Sequence, residues 1–307
     1  MNAIVEINDL TKQYGQKKAL DAITFKVKEG GCFGLLGPNG AGKSTLMKLL
    51  TGILSPDSGG MTIMGMDAKK NRNAIISKTG YVPQEITLFE TLSARRNLVF
   101  FGEMYGMKGE PLKRKIEEVL QQVGLADRAK DAVGTFSGGM KRRINIAASL
   151  LHDPKLLILD EPTVGIDPQS RNHIFEMIMA LKKKGMTILY STHYMEEVEA
   201  LCEDIAIMDN GQVIAEGSLN GVLEAHAAKA IYVESNDVNE PPVLEGIAKA
   251  SAKGRGWMLE SSDPLALMGR LVQYFQSKGI HVRSLEMMTP SLESVFLKLT
   301  GSSLRDE

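Results

Sequence analysis

The sequence predicts an α/β fold built on a strand, a glycine-rich loop and a helix, with an inserted helical block and a smaller α/β domain at the C-terminal end. Three stretches carry that expectation. Gly37-Pro-Asn-Gly-Ala-Gly-Lys-Ser-Thr45 lies between the apolar run Cys32–Leu36 and the helical run Leu46–Leu50. Lys155–Glu161 is a continuous apolar run ending in two carboxylates, which suits a strand buried on both faces of a parallel sheet whose ligands gather at the carboxyl ends. From about Leu88 to Leu151 the texture turns helical: Leu98, Phe101 and Tyr105 sit at i, i+3 and i+7, and Ile116, Val119 and Leu120 repeat the pattern.

Along the chain, Ile4–Ile7 and Ala22–Val27 alternate as half-buried strands should, and lead up to Cys32–Leu36. Tyr14, in the polar turn between them, either stacks on a purine or is a surface tyrosine. In the loop, Gly37, Gly40 and Gly42 admit backbone conformations closed to residues with a Cβ, so that the N–H groups of Gly37, Pro38-Asn39, Gly40, Ala41 and Gly42 can converge, proline itself having none to offer. The helix beginning near Lys43 aims its positive end at the same point. This is the context of a phosphate-binding loop, in which Lys43 reaches the β- and γ-phosphates, Ser44 offers its hydroxyl to Mg²⁺ and Thr45 meets the α-phosphate. A glycine turn followed by a chance lysine is the competing reading; the match at all four fixed positions, between a strand and a helix, weighs against it.

Ser55–Gly60 is a loop by composition, Met61–Met64 and Thr79–Val82 are short strands, and Gln84 follows the second directly. At the entrance of the helical block, Leu88, Phe89 and Leu92 either fill the insert's core or line a groove for a partner helix. The block ends in Phe136–Arg143, where Ser137, Gly138 and Gly139 open the helix Ile144–Leu151. They offer a hydroxyl, backbone N–H groups and a helix dipole to an anion, or simply cap the helix. At the end of the apolar run, Asp160 is placed to hold Mg²⁺ through its water shell and Glu161 to orient and deprotonate an attacking water. Two acids closing a strand can also be a solvated turn, which the phosphate loop upstream argues against. Val164–Pro168 is a turn, Thr187–Ser191 another buried strand, and His193 stands just past its end, where a neutral imidazole can donate to a γ-phosphate or serve the fold alone.

Beyond about Gly221 the character changes again. Lys229–Glu234, Ala248–Ala252, Trp257–Glu260 and His281–Met287 read as strands. Pro264–Lys278 is an amphipathic helix with Met268, Leu271, Val272 and Phe275 on one face. A last helix takes Thr289 as N-cap and Pro290 as its first residue, with Leu292, Val295, Phe296 and Leu299 as its stripe and Gly301 as C-cap. The expected domains are 1–220, carrying the insert at about 88–151, and 221–307.

The balance of charge, formally −1 over 307 residues, offers no argument for nucleic acid or anionic lipid as a partner. Two cysteines, Cys32 and Cys202, make neither a metal-ligand spacing nor a disulfide framework, and fit a reducing cytoplasm. No apolar stretch approaches the roughly 18 residues needed to cross a bilayer. Met1–Leu10 alternates like a strand rather than a signal peptide.

Taken in order and spacing, GPNGAGKST, Gln84, FSGGM, LLILDEP, GIDP and His193 resemble the ATP-binding cassette ATPases over about residues 3–220. The resemblance implies that family's mixed sheet core with an antiparallel β subdomain and a helical subdomain. It implies ATP and Mg²⁺ as ligands, Tyr14 as the adenine-stacking residue, Gln84 as the loop that senses Mg²⁺ and the partner, and Ser137–Gly139 as the signature that covers the ATP of a second subunit. Two chains then make two shared sites, a homodimer being the expected form. The signature departs from the usual LSGGQ at Phe136 and Met140, and Arg96 stands where similar proteins commonly carry glutamate. The ending TPSLESVFLKLTG resembles the daunorubicin-resistance branch of drug exporters, whose permease is a separate polypeptide. The function so implied is the ATPase subunit of an exporter, held at the cytoplasmic face of the membrane by its permease.

A cassette ATPase acting on DNA or ribosomes is the alternative. Against it stand the absence of a long coiled-coil insert between Gln84 and Ser137, of a second cassette and of a basic tract. A non-hydrolysing regulatory module is disfavoured because Lys43, Asp160, Glu161 and His193 are all intact.

Overall fold

A computed structural model describes residues 2–226, 229–237 and 240–301. The chain parts into two compact units between Leu219 and Asn220.

The first unit opens with β1 (Ala3–Tyr14), β2 (Lys17–Lys28) and β3 (Gly31–Leu36), then α1 (Lys43–Leu50), β4 (Ser58–Ile63), β5 (Met66–Asp67), α2 (Arg72–Ile76) and β6 (Thr79–Val82). Strands β2-β1-β4-β5 form an antiparallel sheet. Its inward residues Val5, Ile7, Leu10, Leu20, Ile23, Phe25 and Val27 are buried, while alternate positions face out, as a one-sided sheet requires. Tyr14 ends β1 rather than lying in the turn, and pairs with Lys17 across the hairpin.

Next come α3 (Ala94–Met104), α4 (Gly109–Gln122) and α5 (Gly138–Leu150), the helical insert. Leu98, Leu112, Ile116, Val119 and Leu120 form its interior. Phe89 stays 46% exposed, edge-on to Phe100 at 4.9 Å, and Leu88 and Leu92 are half-buried, so this set does not fill the core. The chain then alternates through β7 (Leu156–Asp160), α6 (Pro168–Lys183), β8 (Thr187–Thr192), α7 (Met195–Leu201), β9 (Asp204–Asp209) and β10 (Gln212–Ser218). The second sheet runs β10-β9-β3-β8-β7-β6, parallel from β9 to β6 and antiparallel only at the β10 edge. Every residue of β7 and β8 is buried, which is why neither shows the alternation of a half-exposed strand. The order β3-β8-β7 brings three carboxyl ends, at Leu36, Thr192 and Asp160, side by side.

The second unit contains most of α8 (Leu219–His226), then β11 (Ala230–Ser235), β12 (Lys249–Lys253), β13 (Gly256–Glu260), α9 (Pro264–Lys278), β14 (Val282–Met287) and α10 (Leu292–Thr300). Its sheet, β12-β13-β11-β14, is antiparallel throughout. Two details differ from expectation. On α9 the buried line is Leu267, Leu271 and Phe275, at i, i+4 and i+8, which meet Ile231, Val233 and Leu259; Val272, one step round the helix, is 39% exposed. Helix α10 is capped by Ser291, whose Oγ accepts from Ser294 N, and not by Thr289 with Pro290 inside. Ser291 takes up the extended conformation of a cap, and Leu292 is thereby the first helical residue and fully buried. Residues 302–307 of the expected C-terminal domain lie outside the described residues.

Candidate functional site

The glycine-rich loop joins β3 to α1 at the carboxyl edge of the parallel sheet. Gly42 caps α1 with φ +107°, a left-handed setting without strain only for glycine, and offers no side-chain cap, so the first N–H groups of α1 remain available. Gly37 is required for space: a Cβ there would lie 2.3 Å from the carbonyl oxygen of Met208. Asn39 and Gly40 are exposed, Pro38 is half-buried and Ala41 is buried. The result is an open cradle of N–H groups at a helix N-terminus, suited to a phosphate chain. Ser44 and Thr45, half-buried, begin α1.

Lys43 turns back over this loop. Its ammonium, 4% exposed, donates to the carbonyls of Gly37 (2.7 Å) and Pro38 (3.1 Å) and pairs with Glu161 Oε1 at 3.1 Å. Glu161 follows β7 directly and adopts φ +46°, a conformation that costs a non-glycine residue about 1–2 kcal/mol. Its N–H, shared between the carbonyl and Oγ of Ser191 at 3.1 Å each, holds the turn. That turn aims the carboxylate back across the sheet edge, where Oε2 lies 3.5 Å from His193 Nδ1. The imidazole is 14% exposed, and this nitrogen has no hydrogen-bond partner. One buried carboxylate thus stands between the loop lysine and the histidine beyond β8.

Asp160 lies on the other side of the same edge. Its Oδ1 accepts from Ser191 Oγ at 2.7 Å and from Ser44 Oγ at 3.3 Å. Burial pushes its carboxyl above the ordinary carboxylate range, and the Glu161 charge adds to this, while the two serine hydroxyls and the Lys43 ammonium pull the other way. Among the described residues no cluster of three or more His, Cys, Asp or Glu side chains could hold a metal by itself. One hydroxyl and one carboxylate beside a phosphate cradle nevertheless form the all-oxygen partial set that suits Mg²⁺, which keeps waters and takes further ligands from substrate phosphates.

Lys43, Ser44, Asp160, Glu161 and His193 are therefore one connected cluster. Among the described residues no hydrogen bond or ion pair ties Tyr14, Gln84 or Ser137 to it. Tyr14 is 50% exposed, with Lys12 Nζ 5.8 Å from its ring centroid. Gln84 is exposed just past β6. Ser137 caps α5, accepting from Met140 N, and Gly138 is exposed beside it. Gly139 is buried, and a Cβ there would come within 2.2 Å of Ser170, so its absence of side chain serves packing against α6 as well. Of the departures, Phe136 is buried with the Arg128 guanidinium 5.5 Å from its ring, Met140 is half-buried and Arg96 is exposed.

Two residues of the site escape the sequence reading. Ser191 ties Asp160 and Glu161 to β8, and its signal is a polar residue near the end of a buried apolar strand. Arg142, 3% exposed, donates to the carbonyls of Pro83 (2.6 Å) and Gln84, holding the Gln84 loop. Beside Lys141 and Arg143 it looks like one more solvated charge; only the helix phase it shares with buried Asn145 and Ser149 sets it apart.

Comparison with known proteins points the same way. The ABC transporter family profile matches residues 20–164. The linearmycin resistance ATP-binding protein of Bacillus subtilis is 43% identical over 99% of this chain and 100% of its own length. The Nod factor export ATP-binding protein I of Sinorhizobium fredii is 36% identical over 98% of this chain and 87% of its own length. Among solved structures, an ATP-binding subunit of an ABC transporter superposes with TM-score 0.65 at 32% identity, covering 72% of this chain and 92% of that one. A dimeric ATP-binding cassette in a post-hydrolysis state bound to ADP and Pi matches with TM-score 0.64 at 26% identity, over 70% of this chain and 98% of that one.

Proposed function

This chain belongs to the ATP-binding proteins of ABC transporters and is an ATPase, and from that premise we propose that it powers an exporter whose membrane-spanning part is a separate permease. The observation that carries the export reading is the extent of the match: two relatives named for resistance and for export align with 99% and 98% of this chain, through the second unit as well as the cassette. Among the described residues no helix is long and apolar enough to cross a membrane, so a permease partner would bring the chain to the membrane's cytoplasmic face. The alternative of an ATPase working on nucleic acid or ribosomes gains no support from these relatives.

In this reading the loop from Gly37 to Gly42 wraps the phosphates, Thr45 meets the α-phosphate and Tyr14, open to solvent, is the platform for adenine. Lys43 exchanges its loop carbonyls for β- and γ-phosphate oxygens. Ser44, and Asp160 through water, with Gln84 beside them, would hold Mg²⁺, which would supply neutralisation of phosphate charge. Glu161 accepts a proton from the water whose oxygen attacks the γ-phosphorus, as the bridging oxygen departs with ADP. His193 orients Glu161 and donates to the γ-phosphate. Ser137, Gly138 and Gly139 complete the cage of a second subunit, a role supported by the exposure of Ser137 and Gly138 and by the dimeric form of a related cassette. ATP binding closes the dimer and hydrolysis reopens it.

The reading is tested by purifying the chain from detergent-solubilised membranes and measuring phosphate release. A membrane protein should co-purify in fixed ratio, and ATPase activity should be present. Recovery with ribosomes or nucleic acid instead would overturn it.

A further inference from the structure

A third buried carboxylate lies four residues beyond His193. Glu197 on α7 is 1% exposed, and among the described residues the nearest cationic atom, Arg171 Nε, stands 3.9 Å from its Oε1. Three hydroxyls are aimed at it instead. Thr163 Oγ1 donates to Oε1 at 2.7 Å; Tyr190 OH and Thr192 Oγ1 donate to Oε2 at 2.9 and 2.8 Å. Tyr190, Thr192 and Thr163 are themselves 0%, 0% and 2% exposed. An apolar side chain would fill the same volume without the desolvation cost of a carboxylate, so the contacts must explain why a glutamate is there.

The partners come from the stretches that flank the reacting groups. Thr163 is two residues past Glu161, and Thr192 directly precedes His193. The N–H of Tyr194, on the other side of His193, donates to Thr192 Oγ1 at 2.9 Å. Both neighbours of His193 are therefore tied to Glu197, and through Thr163 so is the chain leaving Glu161. His193 Nδ1 makes no hydrogen bond, its approach to Glu161 Oε2 being 3.5 Å, so the ring is placed largely by its backbone and by the Tyr194 ring, 4.1 Å away.

We infer that Glu197 is a positioning residue for His193: by gathering the hydroxyls of Thr163, Tyr190 and Thr192 it holds the imidazole in register with Glu161. The inference rests on the reading that Glu161 and His193 act on ATP. Nothing in it requires Glu197 to touch ATP or to change its charge.

Full-length Glu197→Leu, which keeps an apolar filling but orphans three hydroxyls, should lower kcat about tenfold or more with the ATP Kd within about twofold of wild type. Glu197→Gln, whose amide oxygen can still accept from Tyr190 and Thr192 while Thr163 turns to accept, should recover most of the loss. In a His193→Ala background, Glu197→Leu should cost less than about twofold more, because residues acting as a unit are not additive. A merely structural role would give the same loss in both backgrounds, and that result overturns the inference. Wild-type kcat in Glu197→Leu overturns it equally. If His193→Ala alone has normal turnover, it is the role of His193 that fails, which separates the two readings. Should Glu197→Leu not fold, Thr192→Val removes only the hydroxyl linking Tyr194 to Glu197; it should lower kcat with unchanged ATP Kd, and normal kcat there would refute the inference.

Discussion

Replacing Glu161 by glutamine separates ATP binding from ATP hydrolysis, and its size can be worked from the site. The amide keeps an oxygen for Lys43, whose ammonium also retains the carbonyls of Gly37 and Pro38 at 2.7 and 3.1 Å. The backbone N–H of residue 161 keeps Ser191, so the turn survives. Losing one partner of a buried ion pair costs about 3–5 kcal/mol when the other charge is left bare. With two carbonyls and an amide oxygen remaining, we expect a destabilisation at the lower end of ordinary mutational effects, about 1 kcal/mol. The chemical loss is larger. A positioned general base contributes about 10²–10⁴ in rate, or about 3–5 kcal/mol of barrier. Phosphate release should therefore fall at least about a hundredfold while an ATP titration still shows binding. Phosphates would replace the lost counter-charge on Lys43, so added ATP should raise Tm more in the variant than in wild type. With hydrolysis blocked, ATP should also shift the chain from monomer to dimer on gel filtration, a shift Lys43→Ala should lack. Turnover within about threefold of wild type would remove Glu161 from its role.

Further outcomes bear on the shared site, the partner and the electrostatics. Ser137 is an exposed cap, so Ser137→Arg should cost about 1 kcal/mol of stability and still fold. Mixed with Lys43→Ala it should restore up to about a quarter of wild-type ATPase if chains pair randomly and sites fire independently; a mixed dimer that forms yet occludes no nucleotide would refute sites shared between chains. Phe89→Glu, at a side chain 46% exposed, should spare basal ATPase and fold but release the chain from its membrane partner; loss of basal ATPase and fold together would make Phe89 core. Asp160→Asn should raise Tm at neutral pH while abolishing turnover, because the Asp160 carboxyl titrates above its ordinary value of 3.8 and its charged form weakens the fold. The sign follows: the advantage of asparagine is full above the raised folded pKa, shrinks as pH falls through it, and is gone below the unfolded value. Calorimetry from neutral to acid pH checks this, and an advantage that grew toward acid pH would refute it.

The phosphate loop is legible in nine consecutive residues because its chemistry is local: glycine conformations, helix polarity and one lysine at a set spacing need no distant partner. The apolar runs of β7 and β8, and the change of texture at the helical insert, are local in the same way, since burial on both faces or on one stripe leaves a period in the sequence. Contacts between segments far apart in the chain leave none. That Glu161 turns left-handed to meet Lys43 and His193 follows from the order β3-β8-β7, which sets their carboxyl ends side by side. Arg142 was one charge among three until the phase of α5 put it beneath the Gln84 loop. Phe89 and Leu98 are equally apolar in the sequence, yet packing left the first 46% exposed and the second fully buried. The cap of α10 is Ser291 and not Thr289, because capping depends on which hydroxyl residue has the extended backbone that lets its Oγ meet an N–H of the first turn, here that of Ser294. Composition and period determine which elements form and which chemistry they can carry; only the packed topology decides which side chains meet, because burial and hydrogen bonding between elements depend on neighbours that the linear order does not specify.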